Sequence, residues 1–249
     1  MKKYTMAAMA ALLAMSTIAM AEELPRKWGY YGEEGPMFWG DLDESFEGCN
    51  EGYHQSPIAL KDPILAKLKD FSTSYLMSPA FADDAGYTLR VDMKNTSNHL
   101  QLGDQVFDLN EFHFHQPAEH PIDGKLYPLE LHFVNISESG DAVALGVFFE
   151  VGAENAALKA LLPAFKASKE QGKNIEIQIN PNDLQPPKGS FYRYEGSLTT
   201  PPCREGLVWL IYQKPMTLSA EQLAMFNDLM IQNARPVQKM HSRMLMQSQ

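Results

Sequence analysis

Apolar and polar residues alternate along much of this chain. Leu89, Val91 and Met93 alternate with Thr88, Arg90 and Asp92, and Ile175, Ile177 and Ile179 alternate with Glu176 and Gln178. A period of two marks a strand with one buried face. Residues 143–149 and 207–212 are near-continuous apolar runs, the pattern of strands covered on both faces. Leu158, Leu161, Leu162 and Phe165 keep helical spacing, and Pro163 is expected to end or kink that helix. Ser219 and Gln222 make a capping-box pair ahead of Leu223, Phe226 and Met230, which predicts a second helix. The first forty residues hold aromatic side chains without a clear period. Many strands and few helices predict a mainly β fold with peripheral helices (α+β). A single domain is expected, around one large, mixed, mostly antiparallel sheet.

Lys2 and Lys3 precede an apolar stretch, and Ala19-Met20-Ala21 has the small-x-small form of a cleavage site. Residues 1–21 therefore read as a signal peptide and 22–249 as one exported domain, periplasmic or secreted. The apolar stretch is short for a membrane span and no later segment is long enough, so no membrane insertion is expected once the signal is removed. A retained anchor is the alternative. The formal net charge is -10, and loss of the two lysines takes it to -12. A surface that acidic argues against a nucleic-acid partner, because phosphate binding needs basic side chains. No internal repeat or low-complexity tract interrupts the chain. The two cysteines, Cys49 and Cys203, point to one disulfide in an oxidising compartment, with two buried free thiols as the alternative.

The chemistry concentrates in three blocks. In Phe112-His113-Phe114-His115 the two histidines would share one face of a strand, with the phenylalanines on the other. His132, in Leu129-Glu130-Leu131-His132-Phe133, would add a third imidazole from a neighbouring strand. Three neutral imidazoles with a fourth position open make a catalytic rather than a structural zinc site. A His-x-His pair alone also fits a cupin-type metal site or core histidines with satisfied hydrogen bonds. Glu111 and Glu130 each precede a histidine by two residues on its own face, placed to fix a ligating ring through its second nitrogen. Glu119 and His120 follow in Pro117-Ala118-Glu119-His120. The third block, Gly196-Ser197-Leu198-Thr199-Thr200-Pro201-Pro202-Cys203, is a stiff hydroxyl-bearing loop.

Together with Gln55-Ser56-Pro57-Ile58 and Arg235-Pro236-Val237-Gln238, these blocks resemble the α-class carbonic anhydrases, the exported bacterial branch above all. Trp28-Gly29-Tyr30 and Trp39 resemble that family's start, and the likeness runs in order through essentially all of the mature chain. The resemblance implies a Zn2+ enzyme catalysing reversible hydration of carbon dioxide to bicarbonate and a proton through zinc-bound hydroxide. By the same resemblance His113, His115 and His132 hold zinc. Thr199 accepts the hydroxide's hydrogen bond, offers its backbone N–H to the substrate oxygen and is oriented by Glu119. Thr200 lines the bicarbonate position, while Val134, Ala144, Leu198, Leu207 and Trp209 form the wall for carbon dioxide. Glu130 receives the second N–H of His132, and Glu111 faces His113. The likeness also implies a Cys49–Cys203 disulfide, a sheet of about ten strands and, by analogy with exported relatives, a homodimer.

Three departures from the family stand out. The usual Asn-Asn-Gly-His proton relay is replaced by Asn95-Thr96-Ser97-Asn98-His99, which puts Asn98 in the relay position and the candidate shuttle His99 one residue on. Turnover is then expected to lean on buffer or ordered water. Glu111 stands where the family usually has Gln, which predicts an alkaline shift in activity. Ala144 replaces a common valine and should widen the pocket. His120 is expected to serve structure, since a fourth histidine would close the metal site to substrate. A non-catalytic binding relative and a zinc-scavenging protein are the competing functions. The first typically loses a zinc ligand and the second carries flexible His-rich tracts, neither of which is present here.

Overall fold

A computed structural model describes residues 27–94 and 97–249, and in it the alternating stretches pair into one sheet. The expected signal peptide lies outside the described residues, as does Thr96. The strands are β1 (Ile64–Ala66), β2 (Phe71–Ser74), β3 (Ser78–Asp84), β4 (Leu89–Met93), β5 (His99–Leu102), β6 (Gln105–His115), β7 (Leu129–Ile136), β8 (Ala142–Val151), β9 (Ile175–Ile179), β10 (Phe191–Ser197), β11 (Glu205–Tyr212), β12 (Met216–Leu218) and β13 (Met246–Ser248). Ten of them run across the sheet in the order β1-β13-β10-β11-β8-β7-β6-β4-β3-β9. The remaining three attach at the side: β5 to β6, β2 to β5 and β12 to β8. The pairings β1–β13, β8–β11 and β8–β12 are parallel and the others antiparallel, so the sheet is mixed and mostly antiparallel, as the alternation predicts.

The period of two sorts side chains onto two faces. Phe112, Phe114, Leu131, Phe133, Leu145, Val147 and Leu210 belong to the larger core on one face. Ala144, Phe148, Leu207, Trp209 and Ile211 pack in a second core on the other. Both long apolar runs are buried on both faces, β8 from Ala142 through Phe149.

Helix α1 (Trp39–Leu42) and helix α2 (Gly48–Glu51) are single turns, whereas α3 (Ala156–Gln171) and α4 (Ala220–Leu229) cover the larger core. In α3 the Asn155 side chain caps the start, and Leu158, Leu161, Leu162 and Phe165 are buried. The helix runs through Pro163 rather than ending there. Pro163 sits on the exposed side. Its cost of about 3 kcal/mol is outweighed by four apolar anchors worth about 1.5–3 kcal/mol each. At α4 both bonds of the capping box form, Gln222 N–H to Ser219 Oγ at 3.2 Å and Ser219 N–H to Gln222 Oε1 at 3.0 Å.

The described part of the aperiodic start, from Lys27 on, folds as short turns around an aromatic cluster. Trp39 is fully buried, meets Trp28 and Tyr30 edge-on, and donates its indole N–H to the carbonyls of Gly29 and Glu34. Against this cluster lies the Cys49–Cys203 disulfide, which joins residues 154 apart in sequence. Closing so long a loop contributes about 2–5 kcal/mol. Among the described residues no helix is long and apolar enough to cross a membrane.

Candidate metal centre

Strands β6 and β7 are antiparallel, with His113 directly opposite His132. His115 lies two residues beyond His113 on the same face. The three rings gather with centroids 4.9, 5.4 and 4.6 Å apart, and one nitrogen from each lies within 4.8 Å of the other two.

Each ring commits its other nitrogen to a different partner. His113 Nδ1 donates to both oxygens of Glu111, at 2.9 and 3.1 Å. His115 Nδ1 donates to the backbone carbonyl of Asn233 at 2.9 Å. His132 Nε2 donates to Glu130 Oε1 at 2.9 Å. What remains is Nε2 of His113, Nε2 of His115 and Nδ1 of His132. The His115 Nε2 atom is buried without a hydrogen-bond partner, which is costly unless something else takes its lone pair. Burial and the neighbouring rings hold His115 well below the usual imidazole range, and burial brings His132 down to about 4. Both are therefore neutral at ordinary pH, the form that ligates a metal. Three converging ring nitrogens, none of them the atom that hydrogen-bonds Glu111, Asn233 or Glu130, fit a divalent transition metal with room for a fourth ligand.

A second group of possible ligands, His120, Glu130 and His132, is consumed by hydrogen bonds instead. Glu130 is fully buried, and burial alone would raise its carboxyl. It accepts from the backbone N–H of Glu119 and His120 at 2.8 and 3.0 Å, and from the His120 and His132 rings, which together hold it well below the usual range. His120 spans Glu130 and the Tyr194 hydroxyl at 2.8 and 2.7 Å, and Tyr194 lies 2.9 Å from Ser56 Oγ. Both His120 nitrogens are thus occupied, in keeping with a structural role.

Thr199 and Thr200 follow β10 in the proline-bearing loop, Thr199 buried and Thr200 half-buried. The loop is closed by Leu198 N–H to Arg204 O at 3.0 Å and Cys203 N–H to Thr200 O at 2.9 Å. Glu119 is fully buried beside it. Its Oε1 accepts the backbone N–H of Arg235 at 2.8 Å, and the Thr199 hydroxyl faces the same carboxyl. Burial leaves Glu119 raised well above the usual carboxylate range despite these donors. Arg235 is itself buried and donates to Gln55 Oε1, Ser56 O and Cys49 O, so the Gln55-Ser56 and Arg235-Pro236 motifs meet behind the metal face.

The apolar wall follows from register. Val134 is opposite Ala144, and Ala144 is beside Trp209, one step from the row that holds His132. Leu207 extends it two residues along β11, and half-buried Leu198 closes it from the loop. Trp209 also touches the His132 ring, with centroids 4.7 Å apart.

In the proton-exit region Asn98 and His99 face opposite ways. Asn98 is fully buried, accepting from Leu76 N–H at 2.6 Å and donating to Ser78 Oγ at 2.7 Å. His99 stands opposite Asp108, and Asp108 opposite Ile136. Ile136, Val134 and His132 share one face of β7, so His99 is on the metal face and Asn98 is not. Sequence reasoning missed Asn233, which sits in a stretch without period, and gave Arg90 and Asp92 only as the polar face of a strand.

The chain matches the family model described as eukaryotic-type carbonic anhydrase over residues 34–249. A carbonic anhydrase of a Nostoc species is 37% identical over 230 residues, covering 89% of this chain and 86% of that protein. One from Klebsiella pneumoniae is 36% identical over 240 residues, covering 96% and 97%. The solved structure of an α-carbonic anhydrase from Thermovibrio ammonificans in complex with sulfanilamide superposes with a TM-score of 0.83 at 39% identity, covering 89% of this chain and 99% of that one.

Proposed function

The chain belongs to the α-class carbonic anhydrase family, and on that footing we propose that it hydrates carbon dioxide reversibly to bicarbonate and a proton at a zinc ion held by His113, His115 and His132. The observation that carries this reading is the set of three converging ring nitrogens left over once Glu111, Asn233 and Glu130 have taken the others. When bound, zinc supplies Lewis acidity that lets water ionise near neutral pH, a behaviour for which carbonic anhydrase is itself the standard example.

The chain's own residues do the rest. Val134, Ala144, Leu198, Leu207 and Trp209 offer an apolar substrate an apolar wall beside the metal, at no cost in lost hydrogen bonds. The backbone N–H of Thr199 receives the substrate oxygen, and Thr200 lines the position of the bicarbonate product. Glu119 accepts a hydrogen bond from the Thr199 hydroxyl, which turns a lone pair of that oxygen toward the metal as an acceptor. A divalent cation on the three nitrogens favours the ionised carboxyl that this role requires. Glu111 and Glu130 fix the tautomers of His113 and His132 and strengthen them as donors. The released proton leaves through water along the metal face, where His99 stands. The disulfide fits export to the periplasm or the medium.

Metal analysis combined with stopped-flow hydration kinetics tests the reading. One zinc per chain and rapid hydration are expected, with both lost in His115→Ala. A zinc-loaded protein that leaves carbon dioxide untouched would overturn it, as would a purified protein that retains no metal at these histidines.

A further inference from the structure

The strand flanking β6 on its other side brings charge to His113. In the β4–β6 pairing Arg90 stands opposite His113 and Asp92 opposite Glu111. Opposed residues share a face, so these four side chains form a patch beside the metal centre. Asp92 and Glu111 are thereby like-charged cross-strand neighbours, an unfavourable placement. Asp83, opposite Arg90 on β3, adds a third carboxylate. Tyr87 and Val134 complete the surroundings of Glu111.

Arg90 is the cation of this patch. Its Nε lies 3.0 Å from Asp92 Oδ1 and its Nη2 3.8 Å from Asp83 Oδ2. It also interacts favourably with Glu111. The patch is half-sheltered, with side-chain exposures of 33% for Arg90 and 13% for Glu111, so its charges are screened less than surface ones. Without Arg90, three carboxylates would crowd the edge of the metal centre. Glu111, whose two oxygens both engage His113 Nδ1, would then be pushed off that nitrogen.

We propose that Arg90 is a positioning residue for the metal centre: by engaging Asp92 and Asp83 it keeps the Glu111 carboxylate on His113, and so sets how tightly the three histidines hold zinc. This rests on the zinc reading above. Partners that orient a ligating histidine typically change metal affinity by about 10–100-fold. A lysine would keep the charge but not the planar fork that reaches two carboxylates at once.

The test is zinc affinity, by competition with a chromophoric chelator, for the wild type, Arg90→Met, Arg90→Lys, Glu111→Gln and the Arg90→Met/Glu111→Gln double variant. Arg90→Met is expected to weaken zinc binding by about tenfold, and Arg90→Lys by less. In the Glu111→Gln background the same Arg90→Met change should alter affinity by less than about twofold, because the residue acts through Glu111. Unchanged or tighter zinc in Arg90→Met would overturn the proposal. So would an equal loss with and without Glu111, which marks a general effect on fold or field. A wild type that holds zinc while indifferent to Arg90 sinks this inference alone, whereas a wild type without zinc sinks the metal reading as well.

Discussion

The backbone carbonyl of Asn233 accepts a 2.9 Å hydrogen bond from Nδ1 of His115, 118 residues away in sequence. That carbonyl is held in place by the residue's own side chain. Asn233 Nδ2 donates to Phe114 O at 2.9 Å and Oδ1 accepts from Gln116 N–H at 2.8 Å, while the Asn233 N–H reaches Gln116 O at 2.9 Å. Asn233 thus clamps the end of β6 on both sides of His115 and aims the ring.

Asn233→Ala should therefore cost stability and metal affinity together. It strands the part-buried Gln116 N–H, at about 1–3 kcal/mol, whereas Phe114 O keeps the Thr88 hydroxyl at 2.6 Å. For a chain of this size that corresponds to a fall in Tm of roughly 2–12 °C. Zinc binding should weaken in parallel, because the His115 ring loses its fixed partner. Calorimetry and chelator competition on one preparation read both. A variant that melts with the wild type would show that the clamp carries no load.

Glu111→Gln should move the pH–activity profile toward acid. The carboxylate engages His113 through both oxygens, and with Glu130 behind His132 it gives two of the three ligating rings an anionic partner. Anionic partners make the rings better donors and the metal less electron-withdrawing. Replacing one with a neutral amide should lower the midpoint of activity. Hydration rates between pH 6 and 9 measure it, and superimposable curves for the two proteins would refute the argument.

How much of this was legible in the sequence depended on the range of the interaction. The histidine cluster could be read because His113 and His115 report their shared face through a period of two, and Glu111 and Glu130 report theirs in the same way. The alternating strands and the capping box at Ser219 were local for the same reason. Pro163 misled because its local cost is decided by long-range burial of Leu158, Leu161, Leu162 and Phe165. The facing of the relay region was not legible, because it is set by pairing across strands: Asn98 turns to Leu76 and Ser78, and His99 shares the face of His132. Asn233 and the Arg90–His113 pairing follow from chain register over long separations, which no pattern of neighbours encodes.

Alkaline pH should destabilise the protein through its buried phenols. Burial pushes Tyr212 up to about 12, and raises Tyr75 further. Below pH 10 the Tyr212 phenol is protonated whether the chain is folded or not, so it contributes no pH dependence. Between pH 10 and 12 the unfolded chain releases a proton that the folded one keeps, and stability falls as pH rises, by about 3 kcal/mol at most for this group. Tyr212→Phe loses the 3.1 Å bond to Gln185 Oε1 but should flatten the decline above pH 10. Urea unfolding at pH 9 to 11.5 compares the slopes, and parallel declines in both proteins would rule Tyr212 out as a source.

His99→Ala should reduce turnover only modestly. His99 is on the metal face, but the register from Ile136 to His132 places it four residue steps away, about 13 Å along the strand. No single proton hop covers that span, so water must carry the proton most of the way whether or not His99 takes part. kcat should accordingly rise with buffer concentration, and in weak buffer the variant should lose less than about threefold, against the 10²–10⁴-fold typical of an essential acid–base group. Hydration measured in weak buffer, with and without added imidazole, separates the cases. A loss of about 10²-fold that imidazole restores would instead make His99 the relay itself, working through an ordered chain of water beside Asp108.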